Sequence, residues 1–158
     1  NGGTTQALGV LTGVMYQDST QKKPVWLNYW PGSGGVSVDT NYPVRVYVAD
    51  NPNQLFQVSS DASLTNRATA VATIFANTDL GTSARTGSTD TGKSNSQASV
   101  ANIAATATLP LRIVGIVDDD ANSDYTAAGI PLKVRLNAHF NAGTRRFDSQ
   151  TTADSLGI

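Results

Sequence analysis

Cysteine is absent from the 158 residues, which removes disulfide staples, thiolate zinc sites and thiol nucleophiles together. Charge is scarce as well. Only 15% of residues are charged, and the signs nearly cancel, with 11 basic against 12 acidic and a formal net charge of −1. Sequence-independent nucleic-acid binding draws on the counterions that a surplus of Lys and Arg releases. No surplus exists, so no nucleic-acid partner is expected. Long apolar runs are missing too. The stretch from Leu109 to Val117 is the longest, far short of the ~18 residues a membrane span requires. No basic segment followed by an apolar one opens the chain, and no membrane partner is expected. The first residue is Asn1 and not Met, which leads to the expectation of an upstream piece outside this sequence.

What is present is Thr, Ser, Ala, Asn and Gly in abundance, a composition suited to meeting other proteins through neutral polar contacts. A chain of this length buries roughly two-thirds of its unfolded surface, enough to fold without a metal or disulfide. The dominant pattern has a period of two. In Leu132–Phe140 the residues Leu132, Val134, Leu136, Ala138 and Phe140 share one face, and Lys133, Arg135, Asn137 and His139 share the other, as strand geometry dictates. Pro43–Ala49 reads as a second strand, with Val44, Val46 and Val48 inward and Arg45 and Tyr47 outward. The turn signal Asp50-Asn51-Pro52-Asn53 then leads to Gln54–Ser59, and the two strands are expected to form a hairpin. Leu109–Val117 is apolar on both faces apart from Arg112, the pattern of a central strand covered on both sides. Leu8–Tyr16 and Val25–Trp30 complete the strands. Arg67–Ala76 fits a short helix or a strand equally, and Thr82–Ser99 reads as a long surface loop.

These elements predict an all-β fold, an antiparallel barrel or sandwich with long loops and extended terminal arms. The organisation divides into a polar lead-in over residues 1–7, a β-rich core over 8–140 and an extended arm over 141–158.

Three features invite a chemical reading. Gly87-Ser88-Thr89-Asp90-Thr91-Gly92-Lys93-Ser94 matches the G-x-x-x-x-G-K-[ST] nucleotide-binding pattern, and Ile113–Asp118 resembles an apolar strand delivering a carboxylate. A phosphate cradle needs a strand entering the loop and a helix N-terminus behind it. The residues before Gly87 are polar, and Asn95–Ala105 is a poor helix. A surface loop is the better reading, with a P-loop protein as a remote alternative. Asp118, Asp120, Asn122 and Asp124 alternate like calcium-loop ligands. Ser123 and Gly129 stand where an EF-hand needs Gly and Glu, so a solvated turn is expected, with a looser calcium site as the alternative. His139 falls on the polar face and is expected to be an exposed strand residue. No catalytic, cofactor-binding or metal-binding residue is assigned.

A family resemblance rests on an ordered set of segments. Leu8-Gly9-Val10-Leu11-Thr12-Gly13-Val14-Met15-Tyr16 precedes Trp26-Leu27-Asn28-Tyr29-Trp30-Pro31. Val46-Tyr47-Val48-Ala49-Asp50-Asn51-Pro52, Leu55-Phe56-Gln57-Val58, Thr108–Val117 and Lys133–Phe140 follow. In this order the set resembles structural proteins of tailed bacteriophages, those described as head-stabilising, decoration or cement proteins. The resemblance implies a non-enzymatic virion protein on the capsid exterior, assembled in the host bacterial cytoplasm. Its partners would be the phage major capsid protein and further copies of itself, as a trimer or dimer. Interface residues are expected at Trp26 and Trp30 beside the Gly-rich loop, and at Lys133, Arg135 and His139 on the polar strand face. Arg145 and Arg146 in the C-terminal arm complete the set. The rival from another class is a carbohydrate-binding β-sandwich of a phage tail or fibre, using Trp26, Trp30 and the acidic loop.

Overall fold

A computed structural model describes residues 7–32, 34–81, 87–88, 90–117, 124–137 and 139–141. Among the described residues the chain is all-β with one short helix, and the strands form two antiparallel sheets. Their order along the chain is β1 (Val10–Gln17), β2 (Pro24–Leu27), β3 (Arg45–Ala49), β4 (Phe56–Ser59), α1 (Arg67–Ala72), β5 (Asn77–Thr78), β6 (Leu111–Ile116) and β7 (Pro131–Leu136). The first sheet has the order β2-β1-β3 and the second β4-β7-β6-β5. Among the described residues no strand of one sheet pairs with a strand of the other, and no residue of β1, β2 or β3 belongs to the core cluster of the second sheet.

The hydrophobic core belongs to the second sheet. Leu132 and Val134 of β7 and Leu111 and Ile113 of β6 turn inward, under α1 through Ala70 and beside Leu64. Phe56 pairs with Val134 and Val58 with Leu132, so β4 adds its apolar face to the same layer. β6 is a central strand, flanked by β5 and β7. The helix starts at Asn66, whose extended backbone and side-chain oxygen cap it by accepting from the Thr69 N–H at 2.9 Å. Beneath it, polar groups are pinned rather than excluded. The buried Ser60 hydroxyl accepts from the Ile130 N–H at 3.0 Å and donates to the Ala62 carbonyl at 2.8 Å.

Several expectations require correction. Pro43–Ala49 and Gln54–Ser59 do not form a hairpin. The turn at Asp50–Asn53 does form, closed by Gln54 N–H to Asn51 O at 3.0 Å, but β3 pairs with β1 and β4 with β7. The apolar residues of β4 gain more by joining the core than by zipping onto β3. Val44 and Val46 are not inward either, whereas Val48 is half-buried. Val46 lies opposite the buried Val14 yet is 58% exposed, and Val44 is exposed beside it. β3 is an edge strand and the cover over β1 does not extend to it. The alternation of the last strand stops at Leu136, the last residue with a register partner in β6, and the Asn137 N–H to the Pro110 carbonyl is the last bond of that ladder. Phe140 is consequently exposed, and His139 is buried at 4% exposure. Ala7, read as lead-in, forms a parallel bridge with His139. The rest of the lead-in and the arm from residue 142 onward lie outside the described residues.

Candidate interaction surfaces

The first sheet carries an exposed surface with aromatic residues at its centre. Trp26 of β2 pairs with Met15 of β1, and Met15 pairs in turn with Arg45 of β3, so the three share one face. A bulge between Leu11 and Gly13 sets Gly13 opposite Tyr47 on that face. Gly13 leaves a slot that the Trp26 ring fills. A Cβ at that position would come within 2.6 Å of Trp26 Cζ2, so the indole lies flat across the strand because no side chain lifts it. Trp26 remains 58% exposed and Tyr47 45% exposed. A shallow cavity of about 170 Å³ opens beside Met15, between Pro24 and the segment Tyr42-Pro43-Arg45. Its lining is mainly apolar.

The segment leading to this surface is set by Asp39. Its carboxylate accepts from the Asn41 backbone N–H at 3.1 Å and pairs with Lys22 Nζ at 3.3 Å. The Asn41 hydrogen bond first, and then Lys22, hold the Asp39 carboxyl below its ordinary value.

Trp30 is separate from Trp26. It meets Tyr16 edge-on, with ring centroids 6.1 Å apart and planes at 86°. Tyr16 follows Met15 and leaves the opposite face of β1. The two tryptophans therefore do not build one stacking platform, and the sugar-site pairing of Trp26 with Trp30 is not formed.

On the second sheet, Lys133 and Arg135 project from the face opposite Leu132 and Val134, as the alternation required. Arg135 lies directly across from Arg112 of β6. His139 does not join them. Its Nδ1 accepts from the Asn141 N–H at 3.0 Å, and its Nε2 is buried without a partner among the described residues. This is a correction: the histidine faces inward and anchors the chain beside Ala7, because the strand has ended three residues earlier. Arg145 and Arg146 lie outside the described residues.

The motif Gly87–Ser94 forms a turn closed on itself. Gly87 bridges Ser94, the Ser88 N–H donates to the Lys93 carbonyl at 3.0 Å, and the Gly92 N–H donates to Ser88 O at 2.7 Å. Amides that would cradle a phosphate are spent within the loop, and among the described residues no helix follows Lys93. Asn28 of the first sheet's β2–β3 connection donates to the Thr91 carbonyl at 2.9 Å, tying this turn to the other sheet. Of the acidic run only Asp124 is described. Its carboxylate accepts from the Thr126 hydroxyl at 2.6 Å and the Thr126 N–H at 2.9 Å, and these bonds hold its carboxyl below the ordinary value.

Sequence reasoning named Trp26 as an interface candidate and placed Tyr47 outward, but it named neither Tyr47, Tyr42 nor Arg112 as an interface residue. The signal for Tyr47 was its outward phase within a valine-rich strand. For Arg112 it was a single cation inside an otherwise apolar run. Comparison with protein-family models, curated proteins and solved structures found no match to this chain.

Proposed function

We propose that this chain is a structural virion protein that binds the outer surface of a phage capsid and stabilises it, without enzymatic activity. The observation that carries the proposal is the exposed face of the first sheet, where Trp26 and Tyr47 stand open to solvent with Tyr42 at the cavity beside Met15. Large rigid aromatics in an apolar patch are the anchors that protein interfaces use. The ordered segments from Leu8 to Phe140 that resemble decoration proteins supply the partner, the phage major capsid protein. Weak contacts suffice for a clamp of this kind, because many copies on a lattice act together through effective concentration. Association of copies as a dimer or trimer on the capsid, with residues 141–158 reaching a neighbour, completes the proposal.

Cryo-electron microscopy of the virion tests this directly. The chain is expected on the capsid exterior, bridging subunits, with Trp26 and Tyr47 at the contact. Heads lacking the protein should release DNA at a lower temperature. A position in the tail or inside the head, or absence from particles, would sink the proposal.

A further inference from the structure

We infer that the outer face of the β4-β7-β6-β5 sheet is a receptor for carboxylate side chains presented by a different protein. Arg112 and Arg135 are register partners across β6 and β7, an arrangement that places their Cα atoms about 4.5–5.5 Å apart. Like charges directly opposite on one sheet face repel. Among the described residues no carboxylate relieves the pair, since the ion pair found there is Lys22–Asp39 on the first sheet. Lys133 lies on the same face, its Cδ passing over the space that Gly115 leaves open, 3.8 Å from where a Cβ would stand. Three cations thus converge on one face that has no ion-pair partner among the described residues.

Phe75 adds a second, independent observation. It holds φ at +72°, a strained conformation for a bulky residue, and it is 69% exposed. Two backbone bonds fix it there, Phe75 N–H to Ile113 O at 2.8 Å and Ile113 N–H to Ala76 O at 2.9 Å. The ring supports Arg112, whose Cζ lies 5.9 Å from the ring centroid. A guanidinium stacked on an aromatic face keeps its N–H edge free for bidentate pairing, the geometry that a carboxylate matches.

The carboxylates are assigned to another protein because, among the described aspartates, five are engaged and Asp50 and Asp90 lie outside the strands of this sheet. Asp18, Asp39, Asp61, Asp79 and Asp124 each accept hydrogen bonds within the chain. A polyanion such as nucleic acid fits less well. The net charge of −1 provides no long-range attraction, whereas a bidentate pair acts at short range.

The test uses the full chain at low salt, titrated with a hexaglutamate peptide and, separately, with a single-stranded oligothymidylate, followed by amide NMR shifts. Hexaglutamate is expected to bind saturably, moving the amides of Phe75, Arg112, Lys133 and Arg135. The double variant Arg112→Gln/Arg135→Gln should weaken it about tenfold, the effect of losing one charge-assisted bond. In the absence of peptide, Arg135→Gln alone should raise the melting temperature by relieving the repulsion. Four outcomes overturn the assignment: no saturable peptide binding, binding unchanged in the double variant, tighter binding of oligothymidylate at the same residues, or salt-sensitive self-association that the double variant abolishes. A fall in melting temperature for Arg135→Gln would show the arginines to be a structural pair and overturn it equally.

Discussion

Ser60 shows how one hydroxyl can hold the second sheet together. Its Oγ takes the Ile130 N–H from a residue 70 positions away, and its carbonyl accepts the Gly129 N–H at 2.9 Å. Ser60→Ala removes the acceptor and leaves the Ile130 N–H buried and unpaired. A loss of about 1–3 kcal/mol is expected in chemical denaturation. Ser60→Thr, which keeps the hydroxyl, should lose less if the pocket admits the methyl. Nothing local in Val58-Ser59-Ser60-Asp61 distinguishes this serine from its neighbour, because its role depends on a partner far along the chain. Asp39 is a second residue whose work is electrostatic. Its carboxyl is held below the ordinary value of 3.8. A depressed folded value means the contribution is fully present above 3.8 and is lost as pH falls through the lower, folded value. Melting temperature recorded against pH should therefore drop on the acid side in the wild type. Asp39→Asn should flatten part of that drop, and an unaltered acid limb would show that the Asn41 and Lys22 bonds carry no net stability.

At the scale of elements, β7 was the most legible. Its alternation gave the burial of Leu132 and Val134 and the exposure of Lys133 directly, because a strand with one covered face writes its environment into a period of two. Val134→Asp places an unpaired carboxylate at a position 2% exposed, and several kcal/mol of destabilisation follow. Lys133→Gln on the other face should cost almost nothing, and similar denaturation curves for the two variants would refute the facing. The same reasoning failed on β3, whose valines alternate just as cleanly but lie on an edge. Periodicity reports which residues share a face and not whether a second layer covers it. The stretch from Ser59 to Thr108 was illegible for another reason. It holds its place through backbone bonds such as Asp61 N–H to Ala98 O and Asn77 N–H to Ala104 O, at 2.9 and 2.8 Å. Such bonds make no demand on side-chain pattern. Phe75 was equally hidden, since a positive φ at a non-glycine residue leaves no trace in the sequence. Trp26 was singled out in the sequence as a candidate interface residue, and it is exposed. Its separation from Trp30 was not legible, because the chain leaves β2 after Leu27, before the second ring is placed.

For the whole molecule, the unequal division of the core has a dynamic consequence. The second sheet buries Leu64, Leu111, Ile113, Ile130, Leu132 and Val134, while the first buries Val14 and Tyr16 among large apolar residues. Full burial of such a side chain contributes about 1.5–3 kcal/mol, so the first sheet has far less holding it closed. The links between the two are local, through Asn28 to Thr91 and through Ala7 to the His139 and Phe140 backbone. Sub-global opening of the first sheet should therefore need less free energy than global unfolding. Native-state hydrogen exchange is expected to show faster exchange in β1, β2 and β3 than in β6 and β7. Uniform protection would mean one cooperative unit and would refute this division. The same measurement distinguishes the two surfaces once a partner is bound. A partner seated on Trp26 and Tyr47 covers the poorly buried sheet and stabilises the state in which it is closed. Protection should then rise most in β1–β3, by an amount that grows with ligand concentration as mass action requires. Contact through Arg112 and Arg135 alone would leave β1–β3 exchanging as fast as in the free chain, because no strand of that sheet pairs with a strand of the basic one.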